Sequence, residues 1–382
     1  MRFSQPTAAR QINRLRVLNL IAKQDNLARS DVSRLLNLNK VSTSEIVDSL
    51  IKENLISEVG TRQTATGRRP TDLELNKDAQ MIFAVEITNR NTQVALVNLK
   101  GEMLRFERLP TPKDPRPEEI AALIINLANK FTSRMKDPSL IKGSTIVING
   151  EVEEATGLIK NHQGWQWNNV PLAFALSKHL KFPILIENSM KAMILAEKWF
   201  GNLEQANTYY FVNWGEEIQG AFLKEGKILF SDSLFGHLPV AKTGICKCKT
   251  IGCLESQAAG WSLLEDYPNT TTLKQFGQLG ETNRIVDSSL LNASEKMGEA
   301  LIYIANILRP KKIVIGTSLP ERYFNHVLNS FSNKANPMIK ETPIERTTLG
   351  DQVGILGASA LALDQFIFKQ SLLEQLQKTA SL

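Results

Sequence analysis

Apolar side chains recur at three-residue steps at Ile12, Leu15, Leu18 and Ile21, which predicts a helix over residues 8–23 with one inward face. A second short helix is expected at about 31–36. Ser30 is its N-cap, Asp31 lies in its first turn, and Val32, Leu35 and Leu36 point inward. Asn37-Leu38-Asn39 reads as a tight turn. A third helix follows over about 40–53, capped by Asn39, with Ile46, Val47, Leu50 and Ile51 buried and Asn54 ending it in a left-handed conformation. Residues 55–59 and 71–75 then change to strand patterning around the polar loop 60–70. Three helices followed by a two-stranded hairpin predict a winged helix-turn-helix over residues 1–77.

Beyond residue 77 the texture changes. Strands are expected at 81–87, 91–98 and 103–109, and a proline-rich stretch (Pro110, Pro112, Pro115, Pro117) leads into a helix at 118–135. A strand at 144–148, a helix at 170–180 and a strand at 183–187 complete a mixed α/β set. A comparable set recurs: a helix at 189–200, strands near 207–213 and 218–230, long helices near 287–308, a strand at 311–316, and helices at 320–332 and 354–368. The repetition predicts two similar lobes with a cleft between them. The expected division is 78–187 plus 359–382 for the first lobe and 188–358 for the second.

Charge sharpens this picture. Residues 1–77 hold 13 Lys and Arg against 8 Asp and Glu, so five of the six net positive charges fall on one fifth of the chain. That imbalance suits a polyanionic partner. In a helix-turn-helix the second helix of the pair enters the major groove with its N-terminal residues on base edges. Those residues here are Lys40, Ser42, Thr43, Ser44 and Glu45, with Arg34 nearby. Lys40 can neutralise a phosphate, and Glu45 could accept from cytosine N4. In the wing, the compact cationic tip carrying Arg68 and Arg69 fits a narrow, A·T-rich minor groove. Double-stranded DNA, as a palindromic operator with A·T-rich flanks, is the expected partner, bound by a homodimer or a dimer of dimers.

Three cysteines, Cys246, Cys248 and Cys253, fall within eight residues, and His237 stands a short way upstream. An odd number of bunched cysteines does not look like a disulfide framework. Three thiolates and an imidazole are the ligand set of a closed structural zinc site, so Zn²⁺ is expected as a structural ion. Four protein ligands leave no open position for metal catalysis. No apolar run approaches a membrane span, and no apolar leader core follows the basic N-terminus, so a cytoplasmic protein is expected.

The run Gly236-His237 … Cys246-x-Cys248-x4-Cys253-Leu254-Glu255 resembles the zinc signature of the ROK family of repressors and sugar kinases. Further matching pieces are Trp167 before Val170-Pro171-Leu172, Ile186-Glu187-Asn188-Ser189, Trp199-Phe200-Gly201 and Ile313-Val314-Ile315-Gly316. The resemblance implies a two-lobed, actin-like (ribonuclease-H-like) body joined to a DNA-binding domain. It also implies what is missing. Family kinases place a catalytic Asp after the Asn matching Asn188, where this chain has Ser189. A neutral serine cannot deprotonate a sugar hydroxyl. The first phosphate loop, Val85 to Arg90, lacks glycine. The second, Gly215-Glu216-Glu217-Ile218-Gln219-Gly220, carries side chains where bare backbone would cradle phosphate. Of the family's sugar-binding residues, Asn188, His237 and Glu255 survive, whereas a Glu is replaced by Leu234. The expectation is a regulator, read as a repressor of carbohydrate-related genes and not an enzyme, whose body senses a sugar or sugar phosphate. The competing readings are an active sugar kinase with a DNA-binding appendage and a body that docks a transport protein.

Overall fold

In the computed structural model, residues 6–61, 71–153, 155–162, 164–201, 208–225, 227–270, 272–369 and 373 are described. Helix α1 spans Pro6–Lys23, and a two-residue strand β1 (Leu27–Ala28) leads into α2 (Arg29–Leu36) and α3 (Lys40–Lys52). Strands β2 (Ile56–Thr61) and β3 (Thr71–Leu75) close the unit, with β3 central between β1 and β2 in a small antiparallel sheet. Asn39 caps α3, its side chain accepting from the Val41 amide at 2.8 Å. Asn54 takes the left-handed backbone expected of it (φ 60°), and Asn37, in the turn after α2, takes it too (φ 51°).

Two details differ from the sequence reading. Helix α2 starts at Arg29 with Ala28 in the cap position, so Ser30 lies inside it. The free amide of Ala28 is taken instead by the Asp31 carboxylate at 3.1 Å. Leu35 is 52% exposed. Val32 and Leu36, four apart, already define the inward stripe, and Leu35 falls on its flank.

The body contains two five-stranded sheets of one design. The first is built from β4 (Met81–Ile87), β5 (Asn91–Asn98), β6 (Met103–Pro110), β7 (Ile141–Ile148) and β11 (Ile184–Asn188), in the order β11-β7-β4-β5-β6. The second uses β12 (Thr208–Trp214), β13 (Ile218–Lys224), β14 (Lys227–Ser233), β15 (Ile313–Gly316) and β16 (Ile344–Arg346), in the order β14-β13-β12-β15-β16. In each, three strands form an antiparallel meander and two more join parallel to its first strand. The repeated lobe expected from the sequence is thus a repeated strand order.

The outer face of the first sheet packs on α4 (Pro117–Thr132) and α5 (Leu172–Ser177). Beside it lies a three-stranded sheet of β8 (Gly150–Glu153), β9 (Leu158–His162) and β10 (Asn168–Val170), which the sequence reading missed. Its strands are only three to five residues long, too short to show a period. The second sheet packs on α7 (Leu254–Ala258), α8 (Gly260–Leu263), α9 (Leu273–Leu279), the long α10 (Arg284–Leu308) and α11 (Glu321–Lys334). Between the sheets lie α6 (Ser189–Trp199) and α12 (Val353–Leu363), which touch both. They approach closely because Gly357 has no side chain: a Cβ there would sit 2.5 Å from the Ala192 backbone. The division drawn between residues 358 and 359 therefore falls inside α12.

The N-terminal unit is not tethered loosely. Val17, Leu18 and Ile21 of α1 share one apolar cluster with Ile82 of the first sheet, with Leu99 in the turn after β5, and with Leu363, Ile367 and Phe368 at and beyond the end of α12. Asn19 donates to the Phe368 carbonyl at 2.7 Å.

Candidate functional site

The cysteines and His237 converge. His237 ends a single helical turn, Phe235–His237, and a tight loop then carries the chain back across it. Val240 donates to Gly252 at 2.8 Å, Leu254 to Leu238 at 2.9 Å and Cys246 to Thr250 at 2.9 Å. Gly252 takes φ 79°, and a Cβ there would lie 1.8 Å from the Ala241 carbonyl, so only glycine closes this loop. The four donor atoms lie within 4.8 Å of one another. His237 Nδ1 is 3.5 Å from Cys246 Sγ, and Cys248 Sγ is 3.6 Å from Cys253 Sγ. This cluster could hold a metal ion. Lys247 turns its ammonium over the Trp261 ring, 4.8 Å from the centroid.

The residues expected to hold a sugar have other partners. Asn188 caps α6, with Oδ1 accepting from Met190 at 2.8 Å and Lys191 at 3.3 Å, while Nδ2 donates to Gly150 at 2.8 Å. Glu255 is buried, accepting from the Ile218 amide at 2.8 Å and from Trp261 Nε1 at 2.9 Å. Each of its oxygens keeps a further lone pair. Ser189 is buried beside the cleft, and Leu234 is 67% exposed.

The cleft itself, about 530 Å³, is lined by both lobes. Side chains cross it at the two loops expected to cradle phosphate. Arg90 pairs with Glu216 at 2.7 Å, and Asn89 donates to Glu217 at 2.6 Å. Asn149 also donates to Glu217 and accepts from Gln219. The residues of the second loop thus meet those of the first. The sequence drew attention to Glu216 and Glu217 but offered no sign of Asn149, whose partners stand 68 and 70 positions away. Deeper in, Glu86 accepts from Gln93 at 2.8 Å, and Arg108 reaches Gln93 and Asp351.

Burial pushes the Glu217 carboxyl up to about 8, helped by the negative charges of Glu255 and Glu216. Burial likewise lifts Glu86 to about 7, against the pull of Arg108. A carboxyl whose folded pKa exceeds its unfolded value contributes stability below the unfolded pKa and loses it as pH rises through the folded one. Melting temperature is therefore expected to decline between about pH 4.5 and 8, and Glu217→Gln to flatten the upper part of that decline. A melting series on both proteins checks this; parallel curves contradict it.

At the N-terminal unit, Lys40 and Ser42 are exposed and Ser44 half-buried. Glu45 is exposed and faces Arg10 at 3.6 Å. Arg34 is exposed and pairs with Asp31 at 2.9 Å. Thr43 departs from expectation: it is 1% exposed, and its hydroxyl donates to the Asn39 carbonyl at 2.9 Å. It shares the inward face of α3 with Ile46, Val47 and Leu50, so it cannot reach a base. Arg68 and Arg69 lie outside the described residues. Arg29, which the sequence reading passed over, binds Asp48 at 2.7 Å and Glu58 at 3.0 Å.

Comparison with known proteins gives the same outline. A model of the ROK family matches residues 82–365. The xylose repressor of Caldicellulosiruptor bescii is 26% identical, over 94% of this chain and 98% of that protein. The transcriptional repressor Mlc of Escherichia coli is 23% identical over 96% and 97%. A crystal structure of a ROK family transcriptional regulator, a homologue of Mlc, superposes with a TM-score of 0.76 at 18% identity, covering 96% of this chain and 99% of that one. A ROK glucokinase from Streptomyces griseus, with glucose and AMPPNP, reaches 0.64 at 18% identity but covers only 74% of this chain. Among the described residues, no helix is long and apolar enough to cross a membrane.

Proposed function

The chain belongs to the ROK family, and we propose that within it this protein is a DNA-binding transcription regulator, a repressor of carbohydrate-related genes, with a kinase-like body that binds but does not react. The observation that carries the reading is the cleft. Ser189 stands where a general base is needed, and Glu216 and Glu217, held by Arg90 and Asn89, put carboxyl groups at the end expected to cradle phosphate, where negative charge opposes ATP. Full-length similarity to named repressors, N-terminal unit included, supports the same reading.

Residues 1–77 are the winged helix-turn-helix, with α3 as recognition helix and the segment between β2 and β3 as wing. Lys40, Ser42, Ser44 and Glu45 face the groove, Arg34 stands on the preceding helix, and Arg68 and Arg69 belong to the wing. The lobes 78–187 with the chain's end, and 188–358, sense a sugar-related ligand near Asn188, His237 and Glu255. Beyond their present bonds, the Asn188 amide keeps one proton and each Glu255 oxygen one lone pair with which to meet hydroxyls. The assembly is a homodimer or dimer of dimers on a palindromic operator.

Zinc fits the cysteine cluster. Bonds of about 2.3 Å to sulfur and 2.0–2.1 Å to nitrogen in a tetrahedron put ligand atoms roughly 3.5–3.8 Å apart, against the 3.5 and 3.6 Å found here. The ion would tie His237 to the loop and stiffen the wall that carries Glu255.

The test is selection of duplexes from a random pool by the full chain, followed by titration with salt. Specific affinity should fall linearly on a log–log plot. Lys40→Ala should make that slope shallower by about one, the share of a single neutralised phosphate. Recovery of no preferred duplex at low salt would refute the proposal.

A further inference from the structure

Helix α3 turns an apolar residue outward. Val41 is 67% exposed, and it is the one large apolar side chain of this helix left in solvent. The buried residues of α3 are Thr43, Ile46, Val47 and Leu50. At 100° per residue their mean direction lies almost opposite Val41. Val41 therefore occupies the centre of the outer face, in the first turn, with Ser44, Glu45 and Asp48 following on the same stripe.

An exposed valine by itself requires no explanation. The setting of this one does. The two carboxylates on its stripe are each met by an arginine from a neighbouring helix: Glu45 by Arg10 of α1 at 3.6 Å, and Asp48 by Arg29 of α2 at 2.7 Å. Exposed pairs of this kind add little stability. What they do is offset negative charge on a face that, in the proposed function, approaches phosphates. The cleared centre of that face is an isopropyl group. Base edges in the major groove are lined by donors and acceptors, and the apolar group among them is the thymine C5 methyl. Valine over a donor or acceptor strips water and returns nothing. Over a methyl it gains by burial.

We propose that Val41 packs against the C5 methyl of a thymine, and so specifies one thymine in each half-site of the operator. This rests on the DNA-binding reading above. The duplex selected by the full chain supplies the probe. Each thymine of one half-site is replaced in turn by deoxyuridine, which removes the methyl and leaves base pairing intact. At one position the affinity should drop about fourfold, the worth of one buried carbon group. In Val41→Ala that position should lose its sensitivity, while other positions keep theirs. The residue is exposed, so the variant should melt as the parent does, and a melt confirms it. Insensitivity to deoxyuridine throughout, or sensitivity that persists in Val41→Ala, overturns the proposal although the DNA reading stands. Failure to select any duplex overturns the DNA reading and this inference with it.

Discussion

Cys253→Ala is expected to empty the metal site and lower the melting temperature by roughly 10 °C. Between Ala241 and Cys253 the loop has almost no core of its own: Ile245 and Ile251 are 76% and 59% exposed, and the buried side chains are those of Cys246 and Cys253. An ion held by the four donor atoms would take the role that packing has elsewhere. In small zinc domains the bound ion supplies ~10–16 kcal/mol of apparent binding free energy, which becomes folding free energy. Here only the loop and its neighbours depend on it, so a loss on the order of several kcal/mol is expected. The damage should spread inward, because Leu254 opens α7 and Glu255 anchors the Ile218 amide. Metal content by atomic absorption, calorimetry and limited proteolysis between residues 241 and 252 check it together. Full metal content, or an unchanged melting temperature after chelation, would contradict it.

The reach of the sequence differs between these sites for a physical reason. The convergence of His237 with the cysteines was legible because the three thiols lie within eight residues, and the donor types suit a metal ion. Asn188 and Glu255 were legible as residue types but not as partners. Each holds backbone atoms, an N-cap in one case and the Ile218 amide in the other, and a one-dimensional pattern does not say which acceptor is already taken. Thr43 illustrates the converse. Its hydroxyl looked like a groove-facing group, yet the helical period places it with Ile46, Val47 and Leu50, and its oxygen is satisfied four residues back. Periodicity already contained that answer, and the polar label concealed it.

The long strands of the body were legible because both sheets are covered on each face, so β4 runs as a near-continuous apolar stretch and β5 and β7 carry the apolar runs Val94–Val97 and Ile146–Ile148. The crossing of the cleft was not. Asn89, Asn149 and Glu217 are brought together only by the meeting of two lobes. Their consequence is functional. A ligand that opens or closes the cleft must exchange these bonds for its own, and it can shift the lobes only by its differential affinity for the two arrangements. Helix α12 is placed to carry such a shift. Val353 and Gly354 line the cleft at its start, and Leu363 lies in the core of the N-terminal unit at its end.

Phe368→Ala should break that last link. The ring is 3% exposed, packs 5.8 Å from Trp199, and completes the cluster joining α1 to the first sheet. Truncating a buried phenylalanine costs ~3–5 kcal/mol, the transfer of the ring plus the cavity left behind. The loss falls on the joint and not on the centre of either part. The expected result in calorimetry is therefore an early transition of the N-terminal unit separated from that of the body. Operator affinity should fall, because fewer chains present a folded N-terminal unit and that unit is less firmly oriented on the body. Any effect of a cleft ligand on operator binding should shrink as well, since the variant no longer couples α12 to α1. The bond from the Asn19 side chain to the carbonyl of residue 368 survives the substitution, so Asn19→Ala combined with Phe368→Ala should separate the units further. A single unshifted transition in Phe368→Ala, with operator affinity intact, would mean that the N-terminal unit stands on its own and that the shared core does not transmit the signal.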